Sequence, residues 1–330
     1  MFNNKTILIT GGTGSFGKKF TEILLKRYKV KKVIIYSRDE FKQFNLKNLE
    51  LYKKYSKNIR FFVGDVRDKE RLVTVTKNVD YIVHAAALKQ VETSEYNPEE
   101  FIKTNIIGAM NIAQASIENK VKKVIALSTD KAVSPVNLYG ATKLCSDKLF
   151  VASNDYYGGE KTQFSVVRYG NVLASRGSVV PFFKSINKNK EFPITDRKMT
   201  RFNIILDDAA QFVFNCFKVM QGREIFVPKI KSYRILDVLN AIVNRPKIKE
   251  IGIRSGEKIS EEMISSSDSV CTSEFKDSYI IFPLNYLKSN VCKKFINKYN
   301  GKNVKPGFSY NSSNNKFLTI KEIKELINKV

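Results

Sequence analysis

Tyr139 and Lys143 stand four residues apart in the run Leu138-Tyr139-Gly140-Ala141-Thr142-Lys143, a spacing that sets both side chains on one face of a helix. A cation beside a phenol favours the phenolate, which a tyrosine needs if it is to take a hydroxyl proton while hydride leaves the same carbon. The pair alone is a common surface arrangement. Upstream, Val124-Ile125-Ala126-Leu127 runs into Ser128-Thr129-Asp130-Lys131, placed where a parallel strand delivers residues to the carboxyl edge of its sheet. There Thr129 could hold the reacting hydroxyl. Asp130 and Lys131 exceed what hydride transfer requires, whereas elimination of water also needs an acid for the leaving oxygen and a base for a carbon-bound proton. The alternative reading is an Asp that caps a helix, followed by a solvated Lys.

A second constellation lies near the amino terminus, in Gly11-Gly12-Thr13-Gly14-Ser15-Phe16-Gly17. Gly11, Gly14 and Gly17 suit a tight turn, close approach of backbone to a pyrophosphate, and close helix packing, with a helix N-terminus facing the anion. A plain glycine turn is the alternative, but the run sits between the strand-like Thr6-Ile7-Leu8-Ile9-Thr10 and a helical stretch, as a dinucleotide site requires. Further on, where an acid would hold a ribose 2′-hydroxyl, the chain reads Ser37-Arg38-Asp39-Glu40-Phe41-Lys42. Ser37, Arg38 and Lys42 could grip a 2′-phosphate, which favours NADP; Asp39 keeps NAD open. Asp65 and Val66 are placed to cover the adenine, although an Asp in a turn is as often a local cap. His84 closes a buried strand and reads as a packed core residue, while the small Ala85, Ala86 and Ala87 let backbone approach a cofactor.

The elements that must hold these residues alternate β-branched runs (Lys32 to Tyr36, Arg60 to Val63, Tyr81 to His84, Lys123 to Leu127, Phe164 to Arg168) with helical stretches such as Lys18 to Tyr28, Pro98 to Asn119 and Leu138 to Ser153. That alternation predicts an α/β fold, a doubly wound parallel sheet of the NAD(P)-binding Rossmann kind. Residues 1–170 are expected to form the dinucleotide-binding domain, with about 203–228 returning to it. Beyond Asn171 glycines and prolines break the pattern, so 171–330 reads mainly as a smaller substrate-binding lobe, ending in an amphipathic helix over Lys321 to Val330. With 43% hydrophobic residues the 330-residue chain can bury such a core. The net charge of +25 comes from 44 Lys and only 13 Arg, with no dense basic patch, which argues against nucleic acid and for anionic substrates. No stretch is apolar for long enough to span a membrane and no signal peptide is visible, so a cytoplasmic protein is expected. Four scattered cysteines and one histidine match no zinc-ligand spacing, and no metal is expected.

These motifs resemble the extended short-chain dehydrogenase/reductases. Within them, Ser128 to Ala132, Asn137 to Lys148, His84 to Lys89, Arg168 to Val172, Ser175 to Phe183 and Met199 to Phe202 are similar to the soluble, configuration-inverting UDP-N-acetylglucosamine 4,6-dehydratases that open pseudaminic acid biosynthesis. Larger membrane-anchored relatives carry Met where this chain has Tyr139. The resemblance implies tightly bound, recycled NADP, held also by Leu127, Ser128 and Val172. It implies that Tyr139, with Lys143 and Thr129, takes the 4-hydroxyl proton, that Lys131 takes the proton at C5, and that Asp130 assists departure of the 6-hydroxyl. The product would be UDP-2-acetamido-2,6-dideoxy-β-L-arabino-hexos-4-ulose. For Lys131 to serve as a base its pKa must fall, and a sheltered cleft with Lys143 nearby would do that. Lys89, Asn171, Arg176, Arg201, Arg254 and Glu257 match positions that line the sugar or the diphosphate. Ser255 replaces a proline in the Arg254-to-Lys258 turn, and Phe317 replaces a tryptophan. A homo-oligomer, dimer or hexamer, is implied as well. A 4-epimerase or reductase of the same fold would need no Asp130-Lys131, and a dinucleotide-sensing binding protein that has lost catalysis would not need the Tyr139/Lys143 pair.

Overall fold

The β-branched runs of the first half form strands β1 (Thr6–Thr10), β2 (Lys32–Ser37), β3 (Ile59–Val63), β4 (Tyr81–His84), β5 (Lys123–Thr129) and β6 (Gln163–Tyr169) in a computed structural model that describes residues 1–156, 162–173, 178–187 and 190–329. The chain forms two compact units. The first comprises Met1–Ser128, Thr142–Val167 and Ala210–Phe226; the second comprises Thr129–Ala141, Arg168–Ala209 and Val227–Val330. In the first unit the strand order is β3-β2-β1-β4-β5-β6, followed by the strand Ile225–Pro228, which pairs parallel with β6. β1 pairs parallel with both β2 and β4. Chain order therefore reverses at β1, and the carboxyl ends of β1 and β4 flank the switch point where open α/β sheets bind ligands.

All five residues of β1 are buried, as expected of a strand covered on both faces. Helix α1 (Ser15–Arg27) buries Phe20, Ile23, Leu24 and Leu25. Phe20 stacks on Phe214 with ring centroids 4.2 Å apart, and Phe2 meets Phe214 edge-on at 5.4 Å. Truncating a fully buried ring such as Phe20 to alanine costs about 3–5 kcal/mol. Where the periodicity predicts one helix over Pro98 to Asn119, α-helix runs over Pro98–Phe101 and Gly108–Glu118 with a π-helical segment, Ile102–Ile107, between them. The wider winding presents Asn105 inward, 1% exposed, a departure that apolar spacing does not signal.

In the second unit Thr200–Ile204 pairs parallel with Asn171–Val172 and antiparallel with Ser232–Arg234, and Glu262–Ile264 pairs antiparallel with Tyr310–Asn311. Its core gathers Phe183, Phe192, Met199, Tyr233, Val238 and Leu239 with Ile323 and Ile327. The last two belong to the terminal helix Ile320–Lys329, whose apolar stripe packs on the helix Ile235–Ile242. Among the described residues no helix is long and apolar enough to cross a membrane.

Candidate active site

The glycine run in the first unit is shaped by contacts that exclude side chains. Gly11 has φ +66°, and a Cβ there would lie 2.8 Å from the backbone of Ala85; a Cβ on Gly17 would lie 2.5 Å from Cα of Gly12. Gly14 caps α1 with no side-chain hydrogen bond, and the first turn holds no acid. A helix N-terminus with its positive end is therefore offered to an anion. Thr13 is buried, Ser15 is exposed, and Phe16 stacks on Phe20 at 5.7 Å. Beside this turn Ala85 N donates to Thr10 O (3.2 Å), and His84 Nδ1 shares a 2.8 Å hydrogen bond with Thr10 Oγ1. Burial, aided by the charge of Lys143, lowers His84 to about 3, so it is a neutral core residue. Ala87 is exposed just beyond. A cradle that any Cβ would fill fits a dinucleotide pyrophosphate.

At the end of β2, Ser37 Oγ accepts from Gln43 Nε2 (3.0 Å) and Arg38 is half exposed, its Nη1 3.7 Å from Asp65 Oδ2. Asp39 is the N-cap of the helix Glu40–Lys47, accepting from Lys42 N (2.8 Å) and Lys42 Nζ (2.5 Å). The hydrogen bonds from Lys42 hold Asp39 below the usual carboxylate range, so the acid that kept NAD open is engaged as a cap. Asp65 is engaged too: its Oδ2 accepts from Arg67 Nε (3.0 Å) and Nη2 (2.7 Å), while the side chain of Val66 turns inward over Gly108.

Lys143 lies on the helix Leu138–Tyr156 one turn beyond Tyr139. Its ammonium donates to Leu127 O at 2.7 Å, and burial, opposed by Asp147, pulls its pKa down. Ser128 Oγ donates to Asp147 Oδ2 (2.8 Å), which turns that side chain toward the helix. Asn105, given no role by sequence reasoning, donates to Thr142 Oγ1 (3.0 Å) and Leu88 O (2.9 Å) and accepts from Leu88 N (2.9 Å). It ties the turn after β4 to the helix that carries Lys143. Lys89 follows on that turn, exposed.

The residues that exceed hydride transfer gather in the second unit. Thr129, not Asp130, caps the turn Asp130–Ala132: its Oγ1 accepts from Lys131 N (3.3 Å) and donates to Asp130 Oδ1 (3.0 Å). Asp130 is 1% exposed, and its Oδ2 has no hydrogen-bond partner. Burial, with the negative charge of Glu261, raises its pKa against the opposing pull of Lys131, which suits a proton donor. Gly170 leaves room beside it, since a Cβ there would lie 3.3 Å from Asp130 Oδ2. Lys131 Nζ sits 3.2 Å from Asp130 Oδ1 and 2.9 Å from Glu261 Oε1.

The expected fall in the pKa of Lys131 is not what this geometry produces. Burial does push it down, but the carboxylates of Asp130 and Glu261 outweigh burial and hold it above the usual lysine range; the cation that opposes them is Arg201, not Lys143. Glu261 was missed because nothing in its spacing links it to Lys131, which lies in a distant part of the sequence.

Tyr139 is 8% exposed. Asn137, just before its helix, accepts from Gly140 N (2.7 Å) and donates to Gly256 O (2.7 Å), while Lys258 Nζ donates to Val133 O (2.7 Å). These bonds clamp the Arg254-to-Lys258 turn to the segment that leads into Tyr139. Ser255 in place of proline leaves the turn intact, with Glu257 N donating to Arg254 O (3.1 Å) and Gly256 at φ +76°. Arg254 is exposed, and Glu257 Oε2 is buried without a partner. Asn171 pairs in register with Asn203, and the Oδ1 atoms of both are buried and unpartnered; Val172 continues the same strand. Arg201 points its Nη1 at Thr200 O (2.7 Å) and Ile259 O (3.1 Å), with Nε 3.7 Å from Glu261 Oε1. Arg176 lies outside the described residues.

Residues 7–283 match the model of a family described as polysaccharide biosynthesis protein. The chain is 54% identical to a UDP-N-acetylglucosamine 4,6-dehydratase (inverting) of Campylobacter jejuni, over 99% of this chain and 98% of that protein. It is 42% identical to a UDP-glucose 4-epimerase of Rickettsia bellii, over 99% and 96% respectively. Among solved structures, Pen from Bacillus thuringiensis matches with a TM-score of 0.88 and 35% identity, covering 100% of this chain and 98% of that one.

Proposed function

The chain belongs to the polysaccharide biosynthesis protein family, and from that premise we propose that it is a UDP-N-acetylglucosamine 4,6-dehydratase (inverting), the name its 54%-identical relatives carry, and that the centre inverted is C5. The observation that favours elimination over epimerisation is the buried acid and amine at the end of β5: Asp130 with one carboxylate oxygen unpartnered, and Lys131 beside it at 3.2 Å. An epimerase needs neither, although epimerases are among the relatives at 42% identity.

A bound dinucleotide would accept hydride from C4 and return it to C6. Tyr139, one helical turn from Lys143, takes the proton of the 4-hydroxyl, and the cation stabilises the phenolate that accepts it. The 4-ketone acidifies C5, Lys131 removes the proton there, and Asp130 gives its own proton to the departing 6-hydroxyl so that water leaves. Reprotonation of C5 on the opposite face yields UDP-2-acetamido-2,6-dideoxy-β-L-arabino-hexos-4-ulose. NADP is favoured over NAD, because Asp39 is engaged as a cap while Arg38 remains half exposed at the end of β2. We ascribe dinucleotide binding to the first unit and sugar-nucleotide recognition to the second, and the enzyme to the cytoplasm as a homo-oligomer, dimer or hexamer, that feeds pseudaminic acid synthesis.

The test is incubation with UDP-N-acetylglucosamine in deuterated water without added cofactor, followed by proton NMR. A new C6 methyl signal, deuterium at C5 and couplings of the L-arabino isomer support the reading. An untouched sugar, or inversion at C4 alone, refutes it.

A further inference from the structure

Glu261 belongs to no motif, yet it is the carboxylate nearest the amine of Lys131. Its side chain is 2% exposed, and Oε1 lies 2.9 Å from Lys131 Nζ. Its main chain is clamped on both sides by Ser312, with Glu261 N donating to Ser312 Oγ (2.9 Å) and Ser312 N donating to Glu261 O (2.8 Å). Ser312 Oγ in turn shares a 2.8 Å hydrogen bond with Thr200 Oγ1. Arg201 is the more distant partner, its Nε 3.7 Å from Glu261 Oε1 and its Nη1 on the carbonyls of Thr200 and Ile259. The second carboxylate oxygen, Oε2, is buried and has no hydrogen-bond partner. A buried carboxylate oxygen without a hydrogen bond is costly for stability.

We propose that Glu261 is the positioning residue of Lys131: it aims the amine at C5 and, by its charge, sets the pH above which the lysine works as a neutral base. This rests on the dehydratase reading above. In the step, an N–H bond of Lys131, whose side chain is 20% exposed, breaks and its proton goes to water, leaving the lone pair on Nζ. That pair then takes the C5 proton, and the C–H electrons pass into the enolate of the 4-ketone. The charged and titratable groups that act on Lys131 are Asp130, Glu261 and Arg201, with the buried Tyr233 close by; Lys258 also acts on Glu261. Because two carboxylates outweigh burial, Lys131 begins as an ammonium; against burial, Lys131 and Arg201 hold Glu261 below the usual carboxylate range, so it stays ionised and steadies the amine.

The experiment compares wild type, Glu261→Gln and Glu261→Asp by two readouts. The first is the pH profile of kcat for dehydration. The second is the pH dependence of Lys131 acetylation by acetic anhydride, read by mass spectrometry on protein without substrate. Removing the counter-charge should move the acid-side limb and the acetylation midpoint of Glu261→Gln to lower pH by about 1–3 units. The plateau kcat should fall about 10-fold or more with KM little changed, and Glu261→Asp should restore the wild-type limb. If kcat falls while limb and midpoint stay put, or if neither changes, Glu261 is structural and the proposal is overturned. Acetylation and Glu261→Asp keep the test decisive should Glu261→Gln fold poorly. A wild-type enzyme that does not dehydrate the sugar overturns the dehydratase reading instead, and the two failures are thereby told apart.

Discussion

Replacing Lys131 with methionine keeps the length of the side chain and removes its charge, which leaves two buried carboxylates facing each other. At 2.9 Å from Glu261 and an effective dielectric of about 20, the gross attraction lost is about 6 kcal/mol. Relaxation and proton uptake reduce this, so breaking one partner of such a pair should cost about 3–5 kcal/mol of stability. The double variant Lys131→Met, Glu261→Gln removes the orphaned charge and should recover about 2 kcal/mol or more of that loss. Urea unfolding at fixed pH measures both. Activity should not recover: with the base gone, kcat for dehydration falls by about 100- to 10,000-fold in single and double variants alike. A single variant as stable as wild type, or a double variant no better than the single, refutes the ion-pair argument. Dehydration near the wild-type rate refutes Lys131 as the base, whatever the stabilities show.

Glu224 predicts a pH dependence that has nothing to do with catalysis. Burial, opposed by hydrogen bonds from Ser165, Gln221 and Gly222, raises it from 4.5 to about 7. Between those values the native state keeps a proton that the unfolded chain has released, so stability falls as pH rises through the window, by about 3 kcal/mol in all. Glu224→Gln should flatten that slope in urea unfolding between pH 5 and pH 8, and parallel slopes would contradict it. Gly17→Ala places a Cβ 2.5 Å from Gly12 Cα and must push the start of α1 off the pyrophosphate; NADPH binding followed by fluorescence should weaken about 10- to 30-fold. Arg38→Ala should lower the preference for NADP over NAD about 10-fold or more, measured as the ratio of their dissociation constants, because a charge-assisted bond to a 2′-phosphate is lost.

The parallel sheet was legible because β-branched runs such as Thr6–Thr10 and Lys32–Ser37 are buried on both faces, and local pattern suffices to mark them. The glycine turn was legible for a related reason: its demand is steric and lies within seven consecutive residues. The π-helical segment at Ile102–Ile107 was not, since one extra residue in a turn changes which side chain faces inward without changing the composition of the helix. The acid and amine at Asp130 and Lys131 could be named from their neighbours in the chain. Their protonation could not, because it depends on Glu261 and Arg201, which the antiparallel pairing of Glu262–Ile264 with Tyr310–Asn311 and the strand Thr200–Ile204 bring to them. Desolvation alone would have pulled Lys131 below the usual lysine range, and the carboxylates of Asp130 and Glu261 reverse that sign. A motif can therefore name candidate reacting atoms, while the charge they carry is a property of the tertiary fold. It follows that substitutions at Glu261 or Arg201, far from the motif in sequence, should alter the pH at which the lysine works more than the affinity with which the sugar binds.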